Sequence, residues 1–335
     1  IVAPFSVPDS RRFRVLPIDP VKLESLKAAA PPPPPPPPPD PSMTHPATLW
    51  REVLYNVSNG SRLWQVSNDE RALGFSPDEG MLITASTNQV SYRSALNGAL
   101  VRTLTLNPSI SNSDFYDRGP YHWCDLSPDG KRMAAVGNDK AIRLIDLATG
   151  ETVAAFEKWM PVVNEPISIT RVRFGPSGDT IVYSGMLETG VWDPNTGETL
   201  SLTGDNDWEV RGFDFAPDNS VVAGACGDNT VRIWNLQTGE LVHSIKDFRE
   251  GLLGVAYSPD GRTLVVYRNA PAVTLWNTRT WRQIGEFKLA VSAKAAVFSP
   301  DGRFFATGGF GDGVRLWRAP LLGEIEEISR MNSSP

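Results

Sequence analysis

Tyr257-Ser258-Pro259-Asp260-Gly261, then Thr263-Leu264-Val265-Val266-Tyr267, then Val273-Thr274-Leu275-Trp276-Asn277 together carry the pattern on which the whole chain is built. The first element ends an alternating apolar run in a turn. Pro presets φ at the first turn position, and Gly accepts the positive φ that closes the turn. The next two elements are short and β-branched and are bounded by turn residues, which is the pattern of strands rather than of helix.

The same signature recurs along the chain. Copies stand at Phe75-Ser76-Pro77-Asp78, Leu126-Ser127-Pro128-Asp129-Gly130, Phe174-Gly175-Pro176-Ser177-Gly178, Phe215-Ala216-Pro217-Asp218-Asn219 and Phe298-Ser299-Pro300-Asp301-Gly302. Their prolines are 51, 48, 41, 42 and 41 residues apart. About 17 residues after the Pro comes the third strand, as in Val191-Trp192-Asp193, Val231-Arg232-Ile233-Trp234-Asn235 and Val314-Arg315-Leu316-Trp317; Ile145 and Tyr55 take the Trp place elsewhere. Three units then turn through Thr-Gly-Glu, at Thr149-Gly150-Glu151, Thr196-Gly197-Glu198 and Thr238-Gly239-Glu240. A period near 40 marks stacked supersecondary units. Four short antiparallel strands per unit have two apolar faces, so no unit is stable alone and radial stacking buries both.

Outside the repeats, Pro31 to Pro39 is a run of nine prolines. It is expected to form an extended polyproline helix about 28 Å long at about 3.1 Å per residue, and reads as a stiff linker in preference to a docking peptide. The 335 residues are 41% hydrophobic and 21% charged, with a formal charge of −6. That balance draws the chain to neither nucleic acid nor anionic membrane. No run of about 18 apolar residues is present to cross a bilayer. Two cysteines and three histidines, all scattered, make no disulfide framework, zinc spacing or catalytic triad. The chain begins at Ile1 and its first Met is Met43, so it reads as a fragment or a processed form.

From about residue 50 to 318 the Ser-Pro-Asp-Gly, Trp-Asp or Trp-Asn and Thr-Gly-Glu elements resemble the WD-repeat β-propeller family. The resemblance implies an all-β propeller of four-stranded blades: seven of them, with six or an incomplete ring as the alternative. Seven requires residues 1–16 to supply a degenerate first strand pair, with Phe5 to Ser10 as its turn. The organisation expected is an N-terminal segment 1–48 with the polyproline tract, the propeller at 49–320, and an acidic tail at 321–335. The family's Gly-His pair is absent from every unit, so its His-Asp-Trp hydrogen-bond network cannot form in the usual way. Apolar packing is expected to carry more of the stability, with looser outer strands.

In that family the turns after Ser-Pro and after Trp-Asp share one face, and the links between blades share the other. The links at 107–120, 158–168 and 204–209 are the irregular ones. They carry Phe115, Tyr116, Trp159, Asp205, Asp207 and Trp208, and long loops with aromatics on a rigid scaffold concentrate binding energy. These six residues are the candidate partner-binding set. Asp205-Asn206-Asp207 lacks the spaced oxygen ligands of a calcium loop and reads as a solvated turn. Asp125, Arg173 and Asp214 stand one residue before the motif aromatic in three successive units. They are expected to pair across blades, since buried charges are tolerated when paired. Cys124 and Cys226 fall in strands as small buried residues, and Trp192, Trp234, Trp276 and Trp317 are core by periodicity.

There is no nucleophile elbow, phosphate loop or His-Glu-x-x-His. The expected function is therefore a non-catalytic protein-interaction scaffold, cytoplasmic and monomeric. It needs no cofactor or metal, and its partners are proteins rather than nucleic acid or membrane. One alternative is the regulatory or sensory propeller of a larger bacterial signalling protein such as a serine/threonine kinase. The other is a propeller hydrolase or dehydrogenase.

Overall fold

The computed structural model describes residues 53–55, 62–66, 70–86, 89–106, 123–136, 140–160, 165–166, 169–185, 188–202, 209–246, 248–309 and 313–318. The residue 1–16 strand pair, the polyproline tract and the 321–335 tail lie outside them. Among the described residues every regular element is a strand. A short pair, β1 (Val53–Tyr55) and β2 (Arg62–Gln65), precedes the first four-stranded sheet, which is β3 (Arg71–Phe75), β4 (Met81–Ala85), β5 (Gln89–Ser94) and β6 (Leu100–Thr105). The second sheet is β7 (Trp123–Leu126), β8 (Arg132–Val136), β9 (Ile142–Asp146) and β10 (Thr152–Phe156). A hairpin of β11 (Trp159–Met160) and β12 (Glu165–Pro166) leads to the third, β13 (Ile169–Phe174), β14 (Ile181–Gly185), β15 (Thr189–Trp192) and β16 (Thr199–Ser201). The fourth is β17 (Val210–Phe215), β18 (Val221–Cys226), β19 (Val231–Asn235) and β20 (Leu241–Ile245). The fifth is β21 (Leu252–Tyr257), β22 (Thr263–Arg268), β23 (Ala272–Asn277) and β24 (Gln283–Lys288), and β25 (Ala293–Phe298), β26 (Phe304–Gly309) and β27 (Gly313–Arg318) make the three-stranded sixth.

Every pairing is antiparallel between consecutive strands, and the first strand of each sheet lies against the first strand of the next. The core lies between the sheets. One cluster joins Ile83, Val90 and Tyr92 to Met133 and Ile145; another joins Ile142 and Leu144 to Ile181, Tyr183 and Trp192; a third joins Ala225 and Ile233 to Leu252, Val266 and Trp276. Because both faces of a sheet meet neighbours, second strands such as β14 and β18 are buried almost throughout and read as continuous apolar runs. The outermost strands β6, β10 and β24 are largely exposed.

The Ser-Pro-Asp-Gly turn closes on itself. Ser127, Ser258 and Ser299 each donate to the Asp two residues on at 2.6 Å, and each hydroxyl accepts the N–H five residues on at 2.9 Å. The Gly N–H returns to the Ser carbonyl at 2.8–2.9 Å, with φ between +68° and +69° at Gly130, Gly261 and Gly302. The turns also stack across sheets. A Cβ on Gly130 would lie 2.8 Å from Pro77 Cδ, and one on Gly261 would lie 3.4 Å from Pro217 Cδ. Glycine is thus required twice at Gly130, by its φ and by the neighbour's ring, and at Gly261 by its φ alone.

Trp192, Trp234 and Trp276 are buried and Trp317 is half-buried. Without the Gly-His pair, indole N–H groups find other acceptors: Trp276 Nε1 donates to Thr274 Oγ1 at 3.0 Å, and Trp317 Nε1 to Thr307 Oγ1 at 3.4 Å. Cys226 is buried in β18, whereas Cys124 in β7 is half-buried because it lies at the margin of the cluster between the first two sheets.

Candidate functional site

Antiparallel order puts the turns between first and second strands, and between third and fourth, at one end of the stack. The links between sheets gather at the other. At the turn end the Ser and Asp side chains of the Ser-Pro-Asp turns are consumed locally. The third-to-fourth turns add acid or amide caps: Asp146 Oδ1 accepts from the N–H groups of Ala148 and Thr149, Asp193 Oδ1 from Asn195 and Thr196, and Asn235 Oδ1 from Gln237 and Thr238. A face whose donors and acceptors pair internally has few left for a partner.

The opposite end is built differently. Five first strands are bulged: β3 leaves out Leu73, and the others leave Thr170, Arg211, Leu253 and Lys294 out of the ladder, each of these four standing four residues before the motif aromatic. A bulge re-aims its side chain. Thr170 donates to Glu209 at 2.7 Å, Arg211 Nη1 to the Leu252 carbonyl at 3.3 Å, and Lys294 Nζ to Asn269 Oδ1 at 3.1 Å. Burial, with Arg211 nearby, pulls the Arg171 guanidinium below its ordinary value against the attraction of Glu209 and Tyr267. Desolvation likewise lowers Lys294. On the same side Glu188 takes Lys158 Nζ at 3.0 Å, Ser201 Oγ at 3.1 Å and Tyr183 Oη at 3.2 Å, and Asp228 holds Arg232 at 2.6 Å.

Of the six loop residues expected from the sequence, Phe115, Tyr116, Asp205, Asp207 and Trp208 lie outside the described residues. Trp159 opens β11, which pairs with β12 through Trp159–Pro166 and Met160–Glu165.

Asp125, Arg173 and Asp214 are brought together along the inner strands. Asp125 Oδ2 accepts the Phe174 N–H of the next sheet at 2.9 Å. Arg173 donates to the Phe213 carbonyl at 2.7 Å and meets Asp214 Oδ1 at 2.9 Å. Asp214 Oδ2 in turn accepts the Tyr257 N–H of the following sheet at 2.7 Å. Each side chain therefore reaches forward to the inner, unladdered edge of its neighbour, acids meeting N–H and the base meeting C=O. Desolvation works against the Arg173 charge, but Asp214, Asp125 and Tyr267 outweigh it and raise the guanidinium above its ordinary value. Burial raises the Asp214 carboxyl, with Arg173 and two backbone N–H groups pulling the other way.

One polar constellation escaped the sequence reading. Glu70 accepts from Arg93 Nε and Nη2, both at 2.7 Å, and from Thr84 Oγ1 at 2.9 Å and Ser91 Oγ at 3.1 Å. Five places before the motif aromatic, the later sheets have Ile169, Val210, Leu252 and Ala293, all buried, and four of them carry Trp where Arg93 stands. An apolar contact has been replaced by an ion pair at both of its ends. The signal was available in an alignment of the repeats at that column.

Among the described residues no group of three or more His, Cys, Asp or Glu could hold a metal, and no helix is long and apolar enough to cross a membrane. His243 stacks on Trp281 with ring centroids 5.2 Å apart.

A family model described as WD domain, G-beta repeat, matches residues 197–235 and 288–318. The matched segments run from the outer strand of the third sheet through β19, and from the end of β24 through β27. They support a WD-repeat family and, with the sheet architecture, a β-propeller-like all-β fold. Comparison with curated proteins finds no match.

Proposed function

We propose that the chain is a non-catalytic protein-interaction scaffold that takes its partners at the end of the stack where the inter-sheet links gather. The observation that carries this reading is the contrast between the two ends. The turn end repeats one short turn from sheet to sheet, whereas the link end carries the bulged Thr170, Arg211, Leu253 and Lys294 beside the irregular connections. Phe115, Tyr116, Trp159, Asp205, Asp207 and Trp208 are proposed as the partner-binding residues. Asp125, Arg173 and Asp214 are proposed to fix the order of neighbouring blades and to take no part in recognition. The ring is proposed to hold seven blades, residues 1–16 supplying two strands to the blade that contains β1 and β2.

Replacing Trp159 and Tyr116 by Ala together is expected to abolish capture of partners at an unchanged melting temperature. Replacing Lys131 and Arg262, on the turn end, is expected to change neither. Capture that survives the first pair, or fails with the second, overturns the assignment. Removal of residues 1–48 tests the blade count: a seventh blade built from residues 1–16 predicts a lowered unfolding midpoint, and an unchanged midpoint refutes it.

A further inference from the structure

The outer strand of a sheet presents a row of N–H and C=O groups to whatever comes alongside, which makes it a template for another strand. In this chain the hazard is sharpened by composition. Val101, Val153, Val242 and Ile284 lie on β6, β10, β20 and β24 and are 61%, 56%, 54% and 58% exposed. They are β-branched apolar residues, the kind that favours strand pairing.

These four residues share a second property. Each is the residue skipped by the ladder. Tyr92 faces Arg102 while Arg93 faces Leu100, passing over Val101; Leu144 faces Ala154 while Ile145 faces Thr152, passing over Val153. Ile233 and Trp234 face His243 and Leu241, passing over Val242, and Leu275 and Trp276 face Gly285 and Gln283, passing over Ile284. All four sit three places after a residue with positive φ: Gly98 at 73°, Gly150 at 81°, Gly239 at 74° and Trp281 at 52°. The feature persists even where Trp281 replaces glycine and must adopt that conformation.

The third sheet is the exception. Its outer strand β16 pairs one to one with β15, with no skipped residue. Leu200, three places after Gly197, is there packed against the cluster that contains Val191 and Trp234. That strand is only three residues long. Among the five four-stranded sheets each outer strand is therefore bulged or very short.

We propose that the repeated bulge guards the outer edges against pairing with a second copy of this chain. A bulge sets two residues against one, breaks the even spacing of outward N–H and C=O groups, and increases the local twist. An incoming straight strand loses register after two or three residues and cannot bury Val101, Val153, Val242 or Ile284. The three-residue β16 reaches the same end by offering too few groups.

The test deletes Val101, Val153, Val242 or Ile284 one at a time from the full chain, then all four together. Each deletion joins residues that already face adjacent partners and so restores an even ladder. Sedimentation velocity over a concentration series is expected to show the weight-average mass of the folded deletion variants rising to about twice that of the unmodified chain, as pairing of open edges requires. The variant Val153→Thr, which keeps the bulge and changes only the side chain, is expected to match the unmodified chain. A mass unchanged by every folded deletion overturns the proposal, as does association caused by Val153→Thr. Failure of all four single deletions to fold, judged by tryptophan emission, overturns it too, because the bulge is then a requirement of the sheet itself.

Discussion

Removing the Glu70 carboxylate charge as Glu70→Gln is the sharpest perturbation the structure offers. Glu70 is 8% exposed and Arg93 18%, and the guanidinium meets the carboxylate through two bonds of 2.7 Å. The Thr84 and Ser91 hydroxyls donate to the same carboxylate. An uncompensated guanidinium in this setting costs about 3 kcal/mol, the lower end for a broken buried pair, because Arg93 keeps some contact with solvent and a bond to the Gly98 carbonyl at 3.2 Å. Replacing both partners is a different matter. The fifth sheet places Leu252 and Trp276 in these positions, with Val266, a near-isostere of Thr84, beneath them. Glu70→Leu with Arg93→Trp is therefore expected to restore most of the loss, to within about 1 kcal/mol of the unmodified chain, since well-packed apolar pairs match or exceed buried ion pairs. The assay is urea unfolding followed by tryptophan emission, run as a double-mutant cycle. A cost below about 1 kcal/mol for Glu70→Gln, on the scale of an exposed ion pair, would refute the reasoning.

Acid is expected to weaken the fold through its turns. Hydroxyl donation from Ser127, Ser220, Ser258 and Ser299 holds Asp129, Asp218, Asp260 and Asp301 below the usual carboxylate range, Asp301 down to about 2. Because the folded values are depressed, their contribution is complete above the unfolded value near 3.8 and is lost as pH falls through the folded values. The urea midpoint should therefore decline below about pH 4 and not between pH 5 and 7. Tyr257 is buried and its Oη has no hydrogen-bond partner among the described residues, while Phe174, Phe215 and Phe298 occupy the same place. Tyr257→Phe should be neutral or stabilising by up to about 1 kcal/mol in the same assay, and a loss of that size would show the hydroxyl to be bonded. Gly197 and Gly239 both have φ near +75°, but a Cβ on Gly197 meets nothing within 4 Å, whereas one on Gly239 would lie 2.5 Å from the Ser201 carbonyl. Gly197→Ala should cost about 1 kcal/mol for its backbone alone, and Gly239→Ala distinctly more. Equal losses would show that neighbouring sheets do not press on this turn.

Much of the fold was legible because its signals are local. Pro77, Pro128, Pro217, Pro259 and Pro300 end first strands through their own ring geometry, and the alternation before them has the two-residue period of a strand whatever surrounds it. The pairing of Asp125, Arg173 and Asp214 was suggested by position but not in its detail. That each binds a backbone group on the next inner strand depends on how far two sheets are rotated about each other. Glu70 and Arg93 were passed over because, taken singly, a charge at a strand end reads as solvated. Only their convergence with Thr84 and Ser91 shows otherwise.

By itself the sequence determined the repeat, the four-strand unit, its turns, and hence that units must stack to bury Trp192, Trp234 and Trp276. These follow from dihedral preference and from the period of apolar residues, both properties of a few consecutive positions. Tertiary structure alone decided that Pro77 presses on Gly130, that Asp214 caps the N–H of Tyr257, and that an ion pair fills one apolar niche. Each of those contacts joins residues 20 or more positions apart, and its energy depends on distances that exist only after the sheets have packed.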